Sequence, residues 1–225
     1  MPTFSDPHSV VGYADRPARQ VPGFHALQQM TRLLLAEAVP HDGQVLVLGA
    51  GGGLELKVFA EAQPEWRLVG VDPSHDMLKL ATATLGALAP RAELIEGYID
   101  SAPSGPFDGA TCLLTLHFLD PDERRRTLVE LRRRLKPGAP LVVAHHNFPQ
   151  AAGDKERWLH RYAAFSAASG LSGANAKNAI EAMSARLPSL DPATDEALLR
   201  EAGYERIELF YAAFTFRGWV AYNPT

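Results

Sequence analysis

The chain has 225 residues, 46% of them hydrophobic, and a formal net charge of −4 at pH 7. That length suits one α/β domain spanning residues 1–225 and leaves little room for a second, while the acidic balance gives no general attraction to nucleic acid or anionic lipid. The single cysteine, Cys112, excludes an intrachain disulfide and a multi-cysteine metal site, and its apolar surroundings read as those of a buried, inert thiol.

Residues 1–23 are polar and punctuated by Pro2, Pro7 and Pro17, an arm able to fold over a pocket. They hold no apolar core of signal-peptide length, and no later run approaches membrane-spanning length, so the expectation is a cytoplasmic protein. Between Phe24 and Val39 the residues Leu27, Met30, Leu33, Leu34 and Ala38 recur at helical spacing, and Pro40-His41-Asp42-Gly43 turns the chain into a strand.

That strand, Val45-Leu46-Val47-Leu48, breaks into Gly49-Ala50-Gly51-Gly52-Gly53 and a helix over Leu54 to Ala62. Glycines let the backbone take positive φ and approach a ligand closely, and free N–H groups of the next helix would face the same crevice. A plain tight turn would use the same glycines. However, a second strand from Arg67 ends in Asp72, 21 residues after Gly51, where a carboxylate can take both hydroxyls of a ribose. The pair favours a nucleotide-type cofactor.

Ser74 caps a helix expected from Asp76 to Leu88. Strands follow at Ala92 to Glu96, Gly109 to Leu116 and Ala139 to His145, with a helix from Asp122 to Leu135 before the Lys136-Pro137-Gly138 turn. Five strands in βα alternation predict a parallel, doubly wound sheet. Residues 150–188 break the rhythm with two helices in succession, Asp154 to Ala168 and Ala174 to Leu187, an inserted helical cover. A helix started by Asp191-Pro192-Ala193-Thr194 and stopped by Gly203 then leads to strands at Arg206 to Tyr211 and Ala212 to Ala221, close enough in sequence to form an antiparallel pair. The expected fold is therefore α/β, a Rossmann-like seven-stranded sheet with an antiparallel C-terminal pair and an inserted helical pair.

These features resemble the class I S-adenosyl-L-methionine (SAM) dependent methyltransferases over nearly the whole chain. The motifs that carry the likeness are Gly49-Ala50-Gly51-Gly52-Gly53, Asp72, Met77, Phe107-Asp108-Gly109-Ala110 and Leu135-Lys136-Pro137-Gly138. The resemblance implies SAM as cofactor, with Gly49, Ala50, Gly51 and Gly53 along its methionine part and Asp72 on the ribose. Pro73, Met77 and Ile99 would enclose the adenine, and Leu114 and Thr115 would form the floor.

Three further stretches are similar to the carboxy-SAM synthase branch, whose product serves tRNA wobble-uridine modification. They are Val21-Pro22-Gly23-Phe24, the segment from Leu116 to Arg124, and the tail from Glu201 to Phe216. This likeness implies a homodimer and puts Phe24 where the branch has a SAM-contacting tyrosine, keeping the ring without the hydroxyl. Val47 stands where the family has an acid supporting the methionine end, and Tyr98, flanked by Glu96 and Asp100, where it has one near the adenine amine. Near Ile180 the segment Asn178-Ala179-Ile180-Glu181 has no arginine to hold an extra carboxylate. These departures turn the expectation from carboxy-SAM synthesis toward methyl transfer onto a small-molecule acceptor.

His117 follows the fourth strand, and His145 and His146 end the fifth, so all three stand at the ligand-binding edge of an open sheet and are the candidates for a general base. Neighbouring strand residues face opposite ways, so one of His145 and His146 should look into the cleft. No third ligand stands at metal spacing, and no metal is expected. Arg124-Arg125-Arg126 and Arg132-Arg133-Arg134, interleaved with acids, read as a solvated helix face. Trp158, Tyr162 and Phe165 fall on one helix side and read as packing within the cover, an acceptor wall or a dimer contact.

Two other classes share this sequence pattern. A nicotinamide oxidoreductase could use the glycine loop, although Leu54 occupies its third glycine position. A non-catalytic SAM-binding protein would account for Val47 and Tyr98.

Overall fold

The computed structural model describes residues 16–170 and 187–225. Its elements are α1 (Arg16–Gln20), α2 (Phe24–Ala36), β1 (Gln44–Leu48), α3 (Leu54–Ala62), β2 (Arg67–Asp72), α4 (His75–Leu85), β3 (Ala92–Glu96) and β4 (Gly109–Leu113). There follow α5 (Pro121–Arg133), β5 (Pro140–His146), α6 (Asp154–Ala168), α7 (Pro192–Glu201), β6 (Glu205–Ala213) and β7 (Phe216–Tyr222). The seven strands form one sheet in the order β3-β2-β1-β4-β5-β7-β6. The first five are parallel, while β7 runs antiparallel to both β5 and β6. The terminal antiparallel pair is thus as expected.

Continuous apolar runs make the central strands because both faces of the sheet are covered. On one face Val45 and Val47 pack with Leu27, Leu35, Leu56 and Phe59 of α2 and α3. On the other, Leu46, Val69 and Leu141 pack with Leu128 and Leu131 of α5, Leu198 and Leu199 of α7, and Trp219. Cys112 is buried in this second core as a free thiol. No described helix is long and apolar enough to cross a membrane.

Side-chain caps fix where the helices begin. Ser74 accepts from the Met77 N–H, Asp120 from the Glu123 N–H, and Asp191 from the Ala193 and Thr194 N–H groups, each such cap being worth about 1 kcal/mol. Asp108 ties two motifs together. Its carboxylate accepts from the Gln44 N–H at 2.9 Å and from Lys136 Nζ at 2.6 Å, joining the start of β1 to the turn before β5.

Several expected boundaries shift for local reasons. The fourth strand stops at Leu113 instead of Leu116, because Leu114 adopts a φ of 56° and the chain enters a 3₁₀ turn over Leu116–Phe118. α4 ends at Leu85 instead of Leu88, where Gly86 with φ 54° starts a 3₁₀ segment containing Pro90. The first cover helix, Asp154–Ala168, forms as expected. The second, expected over Ala174 to Leu187, lies outside the described residues up to position 186, as does the Asn178-Ala179-Ile180-Glu181 segment.

The solvated arginine face needs correction. Arg124 is fully buried, and its guanidinium pairs with Asp195 at 2.5 Å and donates to the Pro188 carbonyl. The acids interleaved in sequence pair instead with its neighbours: Glu123 with Arg126, Asp122 with Arg125 and Glu130 with Arg133 and Arg134.

Candidate functional site

The sheet order reverses between β1 and β4, and a ligand crevice is expected beyond the carboxyl ends of the strands at that point. A cavity of about 490 Å³ opens there. It is lined by the loop residues Gly49, Ala50 and Gly51, by Asp72, Pro73 and Met77 after β2, by Tyr98 and Ile99 after β3, and by Leu114 and Thr115 after β4, with Phe24 of α2 across from them. Of the residues expected to hold a cofactor, this brings together all but Gly53, which stands just behind the loop.

Two of the loop glycines are dictated by the protein's own packing. Gly49 has φ 79° and a Cβ there would collide with the Thr115 side chain; Gly53 has φ 80° and a Cβ would lie 2.8 Å from the Ala81 backbone of α4. The loop amides are also engaged more fully than the sequence suggests. Gly49 and Ala50 donate to the Val71 carbonyl, at 2.8 and 3.1 Å. The Gly51 N–H donates to Asp72 Oδ2 at 2.9 Å. Those three N–H groups hold the loop to β2, so a ligand meets their Cα and carbonyl edges.

Asp72 is the hinge of the arrangement. While Oδ2 accepts from Gly51, Oδ1 accepts from the Ser74 N–H at 2.9 Å. Burial raises its pKa, and the Ser74 and Gly51 amides oppose the rise. Each oxygen retains a further lone pair, and the side chain lines the cavity. The 21-residue spacing noted in the sequence corresponds to a direct hydrogen bond. Ile99 is buried behind the cavity wall, whereas Tyr98 is half exposed at its mouth. There Arg126 grips Asp100 through a two-pronged contact at 2.8 and 3.0 Å and also bonds Glu123.

None of the three candidate histidines lines this cavity. His117 Nδ1 accepts from the His146 N–H at 3.3 Å, which leaves the proton of the neutral ring on Nε2. Burial first, and then His146, His145 and Arg124, hold its pKa well below the usual value, so the ring is a poor proton acceptor. His146 stacks on Phe216 with centroids 3.9 Å apart and shares a hydrogen bond with Thr215, and burial pushes its pKa down to about 3. His145 turns to the opposite face, where its Nε2 meets Asp195 at 3.0 Å. The alternation along β5 is as expected, but both rings are absorbed in packing. Tyr162 joins the His146–Phe216 stack, Phe165 meets Phe214, and Trp158 lies under Arg161. No metal-binding group of three appears among the described residues.

Sequence reading missed Glu55, Gln28 and Arg126, which also line the cavity. Glu55 and Gln28 carried a detectable signal. Glu55 stands four residues before Phe59, and Gln28 four residues after Phe24 and seven before Leu35, so each places a polar group on the buried side of an amphipathic helix.

Residues 45–138 match the methyltransferase domain family. The chain is 28% identical over 225 residues to a carboxy-S-adenosyl-L-methionine synthase of Chromohalobacter salexigens, covering 97% of this chain and 82% of that one. It is also 27% identical to the synthase of Klebsiella pneumoniae, covering 93% and 86%. Over that segment, and along most of its length against these synthases, the chain is similar to class I SAM-dependent enzymes of the methyltransferase fold. The methyltransferase fold agrees with a solved O-methyltransferase family protein of Burkholderia thailandensis at a TM-score of 0.71 and 15% identity, over 98% of this chain and 61% of that one.

SAM is the cofactor of that family, and the residues lining the cavity fit it. A carboxylate with both oxygens anchored faces the crevice at Asp72, apolar side chains of Met77 and Ile99 lie beyond it, and the end near β4 holds the buried, polar Gln28 and Glu55.

Proposed function

We propose that the protein transfers the methyl group of SAM to a small-molecule acceptor. The observation that carries this reading is Asp72, locked at the end of β2 by the Gly51 and Ser74 amides and lining the cavity. In this reading Asp72 takes the ribose hydroxyls, Pro73, Met77, Tyr98 and Ile99 flank the adenine, and Gly49, Ala50 and Gly51 run along the amino-acid part. Phe24, Leu114 and Thr115 close the other side, and Gly53 sets the entry of α3.

When bound, SAM supplies a methyl group already activated by its sulfonium. The chain's part is then to orient the acceptor and exclude water. In this reading no histidine base is used: His117, His145 and His146 each engage one ring nitrogen, with the His146 N–H, Asp195 and Thr215 respectively, and none of them lines the cavity. An acceptor that is nucleophilic without prior deprotonation fits such a site.

Calorimetry with SAM, S-adenosylhomocysteine, carboxy-SAM and NADH, paired with mass spectrometry of the denatured supernatant, tests the reading. Micromolar binding of SAM or S-adenosylhomocysteine that Asp72→Ala weakens by roughly 10- to 100-fold is the expected result. NADH binding in its place would move the protein to the oxidoreductases, and no adenosyl binding would leave a scaffold without the activity. A second reading, carboxy-SAM synthesis, is favoured by the likeness to the synthases along nearly the whole chain. It predicts carboxy-SAM in the supernatant and tighter binding of carboxy-SAM than of SAM.

A further inference from the structure

Glu55 is the least satisfied ionisable group beside the cavity. Its side chain is 7% exposed and lines the cavity, and its Oε1 has no hydrogen-bond partner. It stands in the first turn of α3 and faces β4, where the Thr111 hydroxyl is the one group favouring its ionised form. The remaining neighbours are equally uncharged: the Cys112 thiol senses the carboxylate from β4, and Gln28 of α2 lines the same cavity. No described cation pairs with it, whereas every other buried carboxylate in the described residues accepts from a cation or from backbone amides.

Its place in the cavity is set by the topology. Asp72 ends β2 on one flank of β1, and Thr111 belongs to β4 on the other, in register with Val47. With strands spaced about 4.8 Å apart, Asp72 and Thr111 belong to strands roughly 10 Å apart across the sheet, and Glu55 stands beside the second of them. In-register neighbours share a face, so Val47 and Thr111 both look toward the helix that carries Glu55. The helix thus delivers a carboxylate over a strand position that carries an apolar side chain.

We infer that Glu55 is the receptor for the α-ammonium group of the ligand's amino-acid end. This rests on the reading of the cavity as a SAM site, in which Asp72 fixes the ribose and directs the amino-acid chain toward β4. A buried acid with no cation is destabilised, and an arriving ammonium relieves it. Without ligand, burial pushes Glu55 up to about 7, so the group is partly protonated at neutral pH. Pairing with an ammonium stabilises the ionised form, and binding therefore expels a proton from Glu55 into solvent.

Calorimetric titration of the whole protein with S-adenosylhomocysteine at pH 7, in buffers of different ionisation enthalpy, counts that proton. The expected result is release of about half a proton per ligand, no release from Glu55→Gln, and affinity at least tenfold lower in that variant. The analogue in which the α-amino group is replaced by hydrogen should bind the unaltered protein at least tenfold more weakly and release no proton. Equal affinity for the two ligands, or a proton count unchanged in Glu55→Gln, overturns the inference. If the variant does not fold, the two ligands on the unaltered protein still decide. Absence of binding by S-adenosylhomocysteine itself would instead overturn the SAM reading, and Glu55's role with it.

Discussion

Two charged clusters are buried against opposite faces of the sheet, and they solve the same electrostatic problem in opposite ways. On the face under α5 and α7, Asp195 is enclosed by the Arg124 guanidinium at 2.5 Å, His145 Nε2 at 3.0 Å and the Asn147 amide. Burial works against the Asp195 carboxylate, but His145 and Arg124 outweigh it and hold the pKa down to about 2. On the face under α2 and α3, Glu55 meets only uncharged partners, and burial lifts its pKa to about 7. A carboxylate with every partner supplied by the chain is structural. One left short at a cavity wall is waiting for something outside the chain.

The sharpest way to break this contrast is at Asp195. Removing one partner of a buried pair leaves the other uncompensated, and Asp195→Asn should cost about 3–5 kcal/mol of stability by chemical denaturation. Arg124 also bonds the carbonyls of Leu119 and Pro188, so the chain leading from the cover to α7 should loosen with it. The pH dependence carries a definite sign. Because the folded pKa is depressed from 3.8 to about 2, the Asp195 contribution is whole above pH 3.8 and is lost as the pH falls toward 2. A variant as stable as the parent at pH 7 would mean the cluster is not the clasp described.

Glu55 should respond in the other direction. Its folded pKa is raised from 4.5 to about 7, so ionisation penalises the ligand-free protein progressively between those values. Glu55→Gln should therefore stabilise the ligand-free protein at pH 8, by about 3 kcal/mol at the usual exchange of pKa shift for energy. At pH 5 the difference between the two proteins should shrink to about 1 kcal/mol or less, because the penalty is lost as the pH falls toward 4.5. Melting temperatures of both across pH 5–8 check this, and a variant destabilised equally at both ends would contradict it.

Asp72 lies between these extremes, buried but anchored by amides. Asp72→Ala removes the acceptor for Gly51 and Ser74 as well as the proposed ribose contact. Hydrogen bonds to charged groups are worth about 1.5–3 kcal/mol, so affinity for S-adenosylhomocysteine should fall by roughly 10- to 100-fold in calorimetry. Asp72→Asn is more informative, because its side-chain oxygen can keep one of the two amides. Recovery of part of the affinity in Asp72→Asn would separate loop anchoring from direct contact with the ligand.

What the sequence displayed of all this follows from which interactions are local. The glycine loop and Asp72 are legible because backbone conformation and strand ends write themselves into glycine, apolar runs and a terminal acid. The five parallel strands and the closing pair are legible for the same reason. The polar groups buried in helices were harder, since Glu55 in Leu-Glu-Leu-Lys and Arg124 in Glu-Arg-Arg-Arg look like ordinary surface residues. Yet Arg124, Leu128 and Leu131 share one side of α5, and Asp195, Leu198 and Leu199 share one side of α7. A charge in phase with the apolar stripe was the available signal. What no spacing could supply is that β5 brings His145 to Asp195, 50 residues on in the sequence, thereby removing it from the list of bases.

The smallest effect belongs to the exposed counterpart of the Arg124 cluster. Arg126 bonds Asp100 and Glu123 at the cavity mouth with its side chain 43% exposed, against 0% for Arg124 two residues earlier. Exposed ion pairs contribute about 0–1 kcal/mol, so Arg126→Ala should leave the melting temperature nearly unchanged while Arg124→Ala lowers it strongly. Its consequence should appear in binding instead. Asp100 follows Tyr98 and Ile99, the residues placed around the adenine, and Arg126 is what holds the Asp100 carboxylate against α5. Freed from it, the 3₁₀ turn over Ile99–Ser101 loses its tie to the helix, and the dissociation rate of S-adenosylhomocysteine should rise several-fold. Stopped-flow displacement on the variant would show this. Because both arginines lie on one helix, a loss of stability without a change in dissociation would place Arg126 with the buried cluster and erase the distinction between clasp and mouth.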